Sequence, residues 1–261
     1  MLTAMATLTD LREELDQWSD AGLEASVWWR DDDAGADGPQ LDRLLDIATA
    51  AGAIVHLAAI PEHLTETARA TILAADCIWV LEHGFSHIDH APPGEGSWEL
   101  GAHRPVSVTL GELAEGKARL QRAFGDRFIP VVAPPWGRIA PEIAERLPDI
   151  GVHCVSLTTP RPAKYRAPNL LEISTCCDPI NWRGGAHFTG SEKAMRHFVE
   201  HLRHRRQCHL SGTGDGDEPS GLLTHHLDHD AEIWTFVETL VGALSGHPAA
   251  RWVVLNEYLE S

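Results

Sequence analysis

The chain has 261 residues, 43% of them apolar and 23% charged, and a formal net charge of −17. That length suits one large α/β domain with a sizeable core. The acidic balance argues against an electrostatic grip on nucleic acid or on an anionic membrane surface.

Sixteen histidines and nine tryptophans are plentiful for this length. They strengthen the case for metal or acid–base chemistry, although scattered surface histidines are the ordinary account of most of them. The five cysteines, Cys77, Cys154, Cys176, Cys177 and Cys208, are odd in number and form no C-x-x-C pair. A reducing compartment is expected.

In chain order, residues 1–24 are expected to form a helical segment packing on the domain, with Asp10 and Glu13 as its cap. This start lacks the basic cluster and apolar run of a signal peptide, and no stretch reaches the length of a membrane span, so a soluble, cytoplasmic protein is expected. Strands follow at 25–32 (ASVWWRDD), 53–60, 77–83, 128–135, 154–159, 169–175 and 221–226. Between them lie helical patterns at 39–51, 65–75, 109–124, 141–147, 191–206 and 230–245. About seven strand–helix units imply a parallel sheet, closed or nearly closed, in a single domain. A long polar loop is expected over 90–106 and a mobile Gly/Asp-rich one over 208–220.

Active sites in parallel barrels assemble at the carboxyl ends of strands. Chemically capable residues recur there: the run Asp31-Asp32-Asp33, then His83, then Pro-Pro-Trp-Gly at 134–137, then Asp178, then His225-His226. In LEHGFSHIDH, His83 and His87 are four apart and can share a helical face toward one cation. Two imidazoles and a carboxylate are a common zinc set that leaves a position open. His90 is read as lying outside that set.

These segments carry a resemblance. From Val27 to His226 the chain is similar to the polysaccharide deacetylase superfamily, carbohydrate esterase family four, as a divergent member. The family's T-F-D-D-G motif corresponds to RDDDA, Arg30 to Ala34. Its H-[ST]-x-S-H corresponds to HGFSH, with Gly84 replacing the hydroxyl residue. R-P-P-Y-G appears as APPWG, so that Ala133 takes the place of the usual arginine. D-x-x-D-W appears as DPINW, with Asn181 for the second aspartate, and the terminal L-x-H lies in LLTHH.

The resemblance implies a distorted (β/α)7 barrel. It also implies metal ligation by Asp33, His83 and His87, Asp32 as general base, His225 as general acid (His226 the alternative), and Asp178 behind the acid, with Asp228 nearer in sequence. A one-residue shift would instead make Asp31 the base and Asp32 the ligand. Arg30, Arg104 or Arg138 can replace the missing arginine.

Pro135, Trp136, Trp182 and Arg104 are the expected substrate contacts. For both tryptophans a core role is an equal alternative. Glu99 and His103 can line a groove or belong to a solvated loop, and His197, His201 and His204 are read as solvated on an amphipathic helix. The cofactor expected is one divalent transition metal, zinc first, with cobalt, nickel or iron also suited to such ligands.

The expected reaction is removal of an N-acetyl group from an amino sugar in a polysaccharide or glycan precursor. The alternatives are hydrolysis of a non-sugar amide and a catalytically silent carbohydrate-binding protein.

Overall fold

The computed structural model describes residues 7–259. Of the N-terminal helical segment, residues 1–6 lie outside the described residues, and the remainder forms α1 (Leu8–Asp20). Its cap is Thr7 rather than the Asp10–Glu13 pair. The Thr7 hydroxyl accepts from the Asp10 N–H and the Asp10 carboxylate accepts from Thr7 N–H, a reciprocal capping box. Leu11, Leu15 and Trp18 on one face of α1 are buried in the main core, and buried Glu14 ties the helix to α6 through Arg206.

The strands are β1 (Ala25–Ala34), β2 (Val55–Ala59), β3 (Ile78–Glu82), β4 (Phe128–Val132), β5 (Cys154–Val155), β6 (Tyr165–Ala167), β7 (Leu170–Glu172), β8 (Ile180–Asn181), β9 (His187–Phe188), β10 (Ser220–Thr224) and β11 (Ala250–Trp252). The helices after α1 are α2 (Pro39–Ala51), α3 (Glu66–Ala74), α4 (Val106–Phe124), α5 (Pro141–Ala144), α6 (Ser191–Ser211), α7 (Ala231–Ser245) and α8 (Asn256–Leu259). The sheet runs β10-β1-β2-β3-β4-β5-β7-β6, with β11 also paired to β1. Every pairing in it is parallel except β6–β7.

This sheet curls into a distorted barrel. The chain beyond β7 turns back onto β10, where the Gly221 carbonyl accepts from Cys176 and Cys177 N–H, and Leu223 N–H donates to the Cys177 carbonyl. A single bridge, Cys177 to Leu222, is all the strand pairing made there. The seven expected strands are therefore all present, but those after β4 are shorter than the apolar runs suggest. An antiparallel strand, β6, and a small hairpin, β8–β9, were not legible as strands.

Alternation along β1 sorts its side chains. Trp28 packs inside the barrel with Ala58, Leu81, Val131 and Ile173, whereas Val27 and Trp29 belong to the core beneath the helices. The base of the barrel is sealed by Val253 and Leu255. There Leu255 N–H donates to His56 Nε2 and His56 Nδ1 meets the Trp29 carbonyl. Burial pushes His56 down to about 4, so the neutral ring with Nδ1–H fits both contacts.

The 208–220 segment is not a free loop. Residues 208–211 complete α6, Asp215 pairs with Arg161 at 2.6 Å, and buried Glu218 accepts from the N–H groups of Arg161 and Ser174. His201, expected in solvent, is buried and bonded to Ser220 Oγ.

Barrel closure depends on Gly221. A Cβ there would stand 2.3 Å from Trp28 Nε1 and 2.9 Å from the Thr175 backbone. Gly221→Ala is expected to destabilise the protein by about 1–3 kcal/mol through overpacking, read as a lower midpoint in denaturant unfolding. An unchanged midpoint would mean that the closure is looser than described.

Candidate active site

At its carboxyl end β1 departs from regular pleating. Its register with β2 shifts between Asp31 and Ala34, and Asp33 takes φ +69. In a regular strand Asp33 would share a face with Asp31. The left-handed turn instead brings Asp32 and Asp33 to one cavity and leaves Asp31 on the opposite side.

Asp33 faces two imidazoles. Its Oδ1 lies 3.2 Å from both His83 Nε2 and His87 Nε2. The three donor atoms converge within 4.8 Å of one another, the geometry of a metal-ligand set. His83 Nδ1 is 2.8 Å from the Ala133 carbonyl, so Nδ1–H donates there and Nε2, once it gives up the proton it shares with Asp33, offers its lone pair to a cation. Burial works against ionisation of Asp33, yet the His83 hydrogen bond and the neighbouring imidazoles hold its carboxyl well below the usual range. Burial likewise opposes a charged His83, and Asp32 and Asp33 reverse that shift. Both directions describe a pocket that favours positive charge, and the residues present fit one divalent metal.

The loop carrying His87 is held by Glu99. Its carboxylate accepts from Phe85 N–H at 3.1 Å, Ser86 N–H at 2.7 Å and Ser86 Oγ at 3.2 Å. Glu99 also explains Gly84. This glycine has φ +60, and a Cβ on it would stand 2.0 Å from Glu99 Oε2 and 2.8 Å from Pro135 Cγ. The carboxylate thus fills the space a hydroxyl residue at position 84 would need.

Asp32 is paired by Arg30, two residues before it on the same face of β1. Arg30 Nε lies 2.8 Å from Asp32 Oδ1 and Nη2 donates to Oδ2 at 3.0 Å. The guanidinium has no exposure to solvent, and its Nη1 donates to the Ser156 carbonyl, Ser156 Oγ and the Leu157 carbonyl. Of the three candidate arginines, Arg30 is therefore the one that pairs with Asp32. Arg104 is not: it is locked onto Glu112 at 2.7 Å, which also removes it from the expected substrate contacts. Arg138 lines the cavity but reaches the Ser97 carbonyl and the Trp98 ring instead.

His225 Nε2 stands 3.8 Å from Asp32 Oδ2. Neither Asp178 nor Asp228 hydrogen-bonds its ring, and Nδ1 is buried without a partner among the described residues. Asp178 accepts instead from Ile180 N–H and from Trp182 Nε1. It thereby fixes the indole, which packs edge-on to His225 with centroids 4.7 Å apart. Burial pushes the Asp178 carboxyl up against the pull of His225. Trp136, at φ +56, lies 4.4 Å from the His87 ring. Both tryptophans are exposed at the cavity rather than buried in the core, whereas Pro135 is buried beneath it. The cavity has a volume of about 370 Å³.

Asp31, on the far side of β1, accepts from Thr224 Oγ1 at 2.6 Å and His226 N–H at 3.1 Å, and meets His226 Nδ1 at 2.5 Å. His226 is thus occupied outside the cavity, leaving His225 as the imidazole within it. Burial raises the Asp31 carboxyl, but the charge of His226 and its hydrogen bonds bring it below its usual value. Burial lowers His226, and Asp31 lifts it above the usual imidazole range.

No protein-family model and no curated protein sequence matches the chain. Solved structures do. A family 4 carbohydrate esterase from Streptomyces lividans, in complex with acetate, aligns over 88% of this chain and 93% of its own, with 14% identity and a TM-score of 0.54. A protein of Mycobacterium smegmatis assigned as a polysaccharide deacetylase aligns over 92% and 90%, with 13% identity and a TM-score of 0.65. A family 4 acetyl xylan esterase from Clostridium thermocellum, bound to a cobalt ion, aligns over 90% of each chain, with 14% identity and a TM-score of 0.55. The chain has the polysaccharide-deacetylase fold in a divergent sequence.

Two measurements check this site. Gly84→Ser is expected to weaken cobalt or zinc binding about 10–100-fold, because it displaces Glu99 and with it the His87 loop; unchanged metal affinity in a calorimetric titration would count against that role for Glu99. The second concerns Asp31 and His226. The lifted His226 contributes stability that is complete below the ordinary imidazole value and is lost as pH rises through its raised one. The lowered Asp31 contributes stability that is present above the ordinary carboxyl value and is lost as pH falls through its lowered one. The cost of Asp31→Asn, about 3–5 kcal/mol for a buried charge left unpaired, is therefore expected to be greatest between about pH 4 and 6.5. Unfolding curves with a pH-independent gap between the two proteins would contradict it.

Proposed function

We propose that this chain, with the fold of the family 4 carbohydrate esterases, is a metal-dependent hydrolase that removes an N-acetyl group from an amino sugar. The observation that carries the reading is the convergence, in one cavity, of the Asp33–His83–His87 set with the Arg30-paired Asp32 and with His225. Amide hydrolysis needs an activated water, charge relief at the carbonyl oxygen and a proton for the departing amine. A divalent metal held by Asp33, His83 and His87 would acidify water and polarise the acyl oxygen.

The chain's own groups account for the rest. Asp32 takes the proton from the attacking water, and the Arg30 ion pair holds its carboxylate in orientation. A main-chain N–H at Trp136 receives the developing oxyanion. His225 gives a proton to the leaving nitrogen, and Trp182, fixed by Asp178, keeps its ring in place. Trp136 and Trp182 form apolar walls for the acetyl methyl and a sugar face.

The substrate we favour is a glycan precursor handled in the cytoplasm rather than an extracellular polymer, and the metal we favour is zinc. A non-sugar amide is the second reading, since the cavity of about 370 Å³ also admits other small acyl amides.

Acetate release from N-acetylglucosamine-type substrates tests the proposal. With zinc or cobalt supplied, Asp32→Asn and His225→Ala are each expected to lower kcat about 10²–10⁴-fold, while metal content measured by mass spectrometry stays at the wild-type level. Full turnover by Asp32→Asn would sink the mechanism.

A further inference from the structure

Beyond Trp182 and Asp178 a second cavity opens, with a volume of about 700 Å³. It shares Thr158, Asp178 and Trp182 with the catalytic one. One wall is α6, which presents Lys193, His197 and His204 at a spacing that puts them on one face. The other includes Arg183, just past β8. This cavity has room for a part of the substrate larger than an acetylated sugar ring.

Its charge is unusual for this chain. Acidic residues outnumber Lys and Arg by 38 to 21, and most guanidinium groups are taken by a carboxylate, as Arg30, Arg161 and Arg206 are. Arg183 and Lys193 line the same cavity, and neither side chain has an ion-pair or hydrogen-bond partner among the described residues. Half-buried His197 reports the same field. Burial lowers its pKa first, and the charges of Lys193 and Arg196 lower it further, against Glu200. Of the two acids lining the cavity, Asp178 has both oxygens engaged by Ile180 N–H and the Trp182 indole, which leaves Glu200. Among the described residues, Trp182 is the one Trp, Tyr or Phe ring that lines it. A groove built for neutral sugar units would offer more stacking faces.

We infer that this second cavity binds a phosphate or pyrophosphate group attached to the N-acetyl sugar. The substrate class is then a phosphorylated N-acetyl sugar rather than a neutral glycan. Arg183 supplies a planar fork for phosphate oxygens and Lys193 a point charge, with the acetamido group directed into the smaller cavity. This rests on the deacetylase reading for the orientation of the sugar, but the anion site itself is independent of turnover.

Binding separates the two. N-acetylglucosamine, its 1-phosphate, a nucleotide-diphosphate N-acetyl sugar and a short-prenyl-diphosphate N-acetyl sugar would be titrated into the wild type and into Arg183→Gln/Lys193→Gln. Both positions are exposed, and an unchanged melting curve confirms that the variant is folded. The phosphorylated sugars are expected to bind at least tenfold tighter than the neutral one at low salt, with most of that gap lost in the double variant. The His197 ring signals should shift on binding. Whichever diphosphate binds tighter identifies the carrier, nucleotide or lipid. Equal affinity for neutral and phosphorylated sugars, a gap that survives the double substitution, or no binding at all overturns the inference. Acetate released equally well from neutral and phosphorylated sugars would also overturn it, while leaving the deacetylase reading standing. Phosphate-dependent binding without acetate release would do the reverse.

Discussion

A guanidinium shut away from water organises the carboxyl end of this barrel. Burying Arg30 without partners would be prohibitive, and its two terminal nitrogens donate to Asp32 and to the Ser156–Leu157 segment after β5, with Nε 2.8 Å from Asp32 Oδ1. The same group therefore joins β1 to the segment after β5 across the barrel and gives the buried Asp32 carboxylate a partner. A buried pair of this kind adds little net stability by itself. Its value lies in fixing where Asp32 points, and the positions of Asp33 and His225 are set relative to that carboxylate.

Around this anchor the backbone carries strain at the places where chemistry is proposed. Among the described residues, four non-glycine positions have positive φ: Asp33, His87, Trp136 and Asn169. Asparagine tolerates that region, but Asp33, His87 and Trp136 all line the catalytic cavity. Each such residue costs of order 1–3 kcal/mol, and the surroundings offset the cost. Glu99 does so for the His87 loop by accepting two main-chain N–H groups and a hydroxyl. His83 is oriented by its own bond to the Ala133 carbonyl, whereas the His87 loop is held by contacts in which the His87 side chain takes no part.

Periodicity was enough to place the strands and most helices, because apolar runs alternate with helical patterns along the chain. The candidate metal-ligand residues were legible as well, since Asp33 stands at the carboxyl end of β1 and His83 and His87 follow that of β3, two strands along in the sheet. What pattern alone left open were pairings between distant segments. Nothing in the spacing says that Arg104 meets Glu112, that Asp178 holds an indole rather than an imidazole, or that His226 turns away to Asp31. Two clues were present nonetheless. Arg30 and Asp32, two apart on a strand, share a face. A glycine where a hydroxyl residue is usual implies that another group fills the space, and that group is Glu99. His201 was read as solvated, and Glu218 was not singled out, because burial of polar groups depends on partners brought together by folding.

Placing the arginine on β1 has a mechanical consequence. When an arginine and its aspartate come from different strands, their separation follows every shift between those strands. Here the two Cα atoms are joined through a single intervening residue of a strand paired on both sides. Sliding of a neighbouring strand past β1 leaves the spacing of the pair unchanged. Asp32 and the Trp136 wall of the cavity are carried by separate elements, β1 and the turn after β4, so a substitution at Trp136 can reshape the cavity without moving the pair.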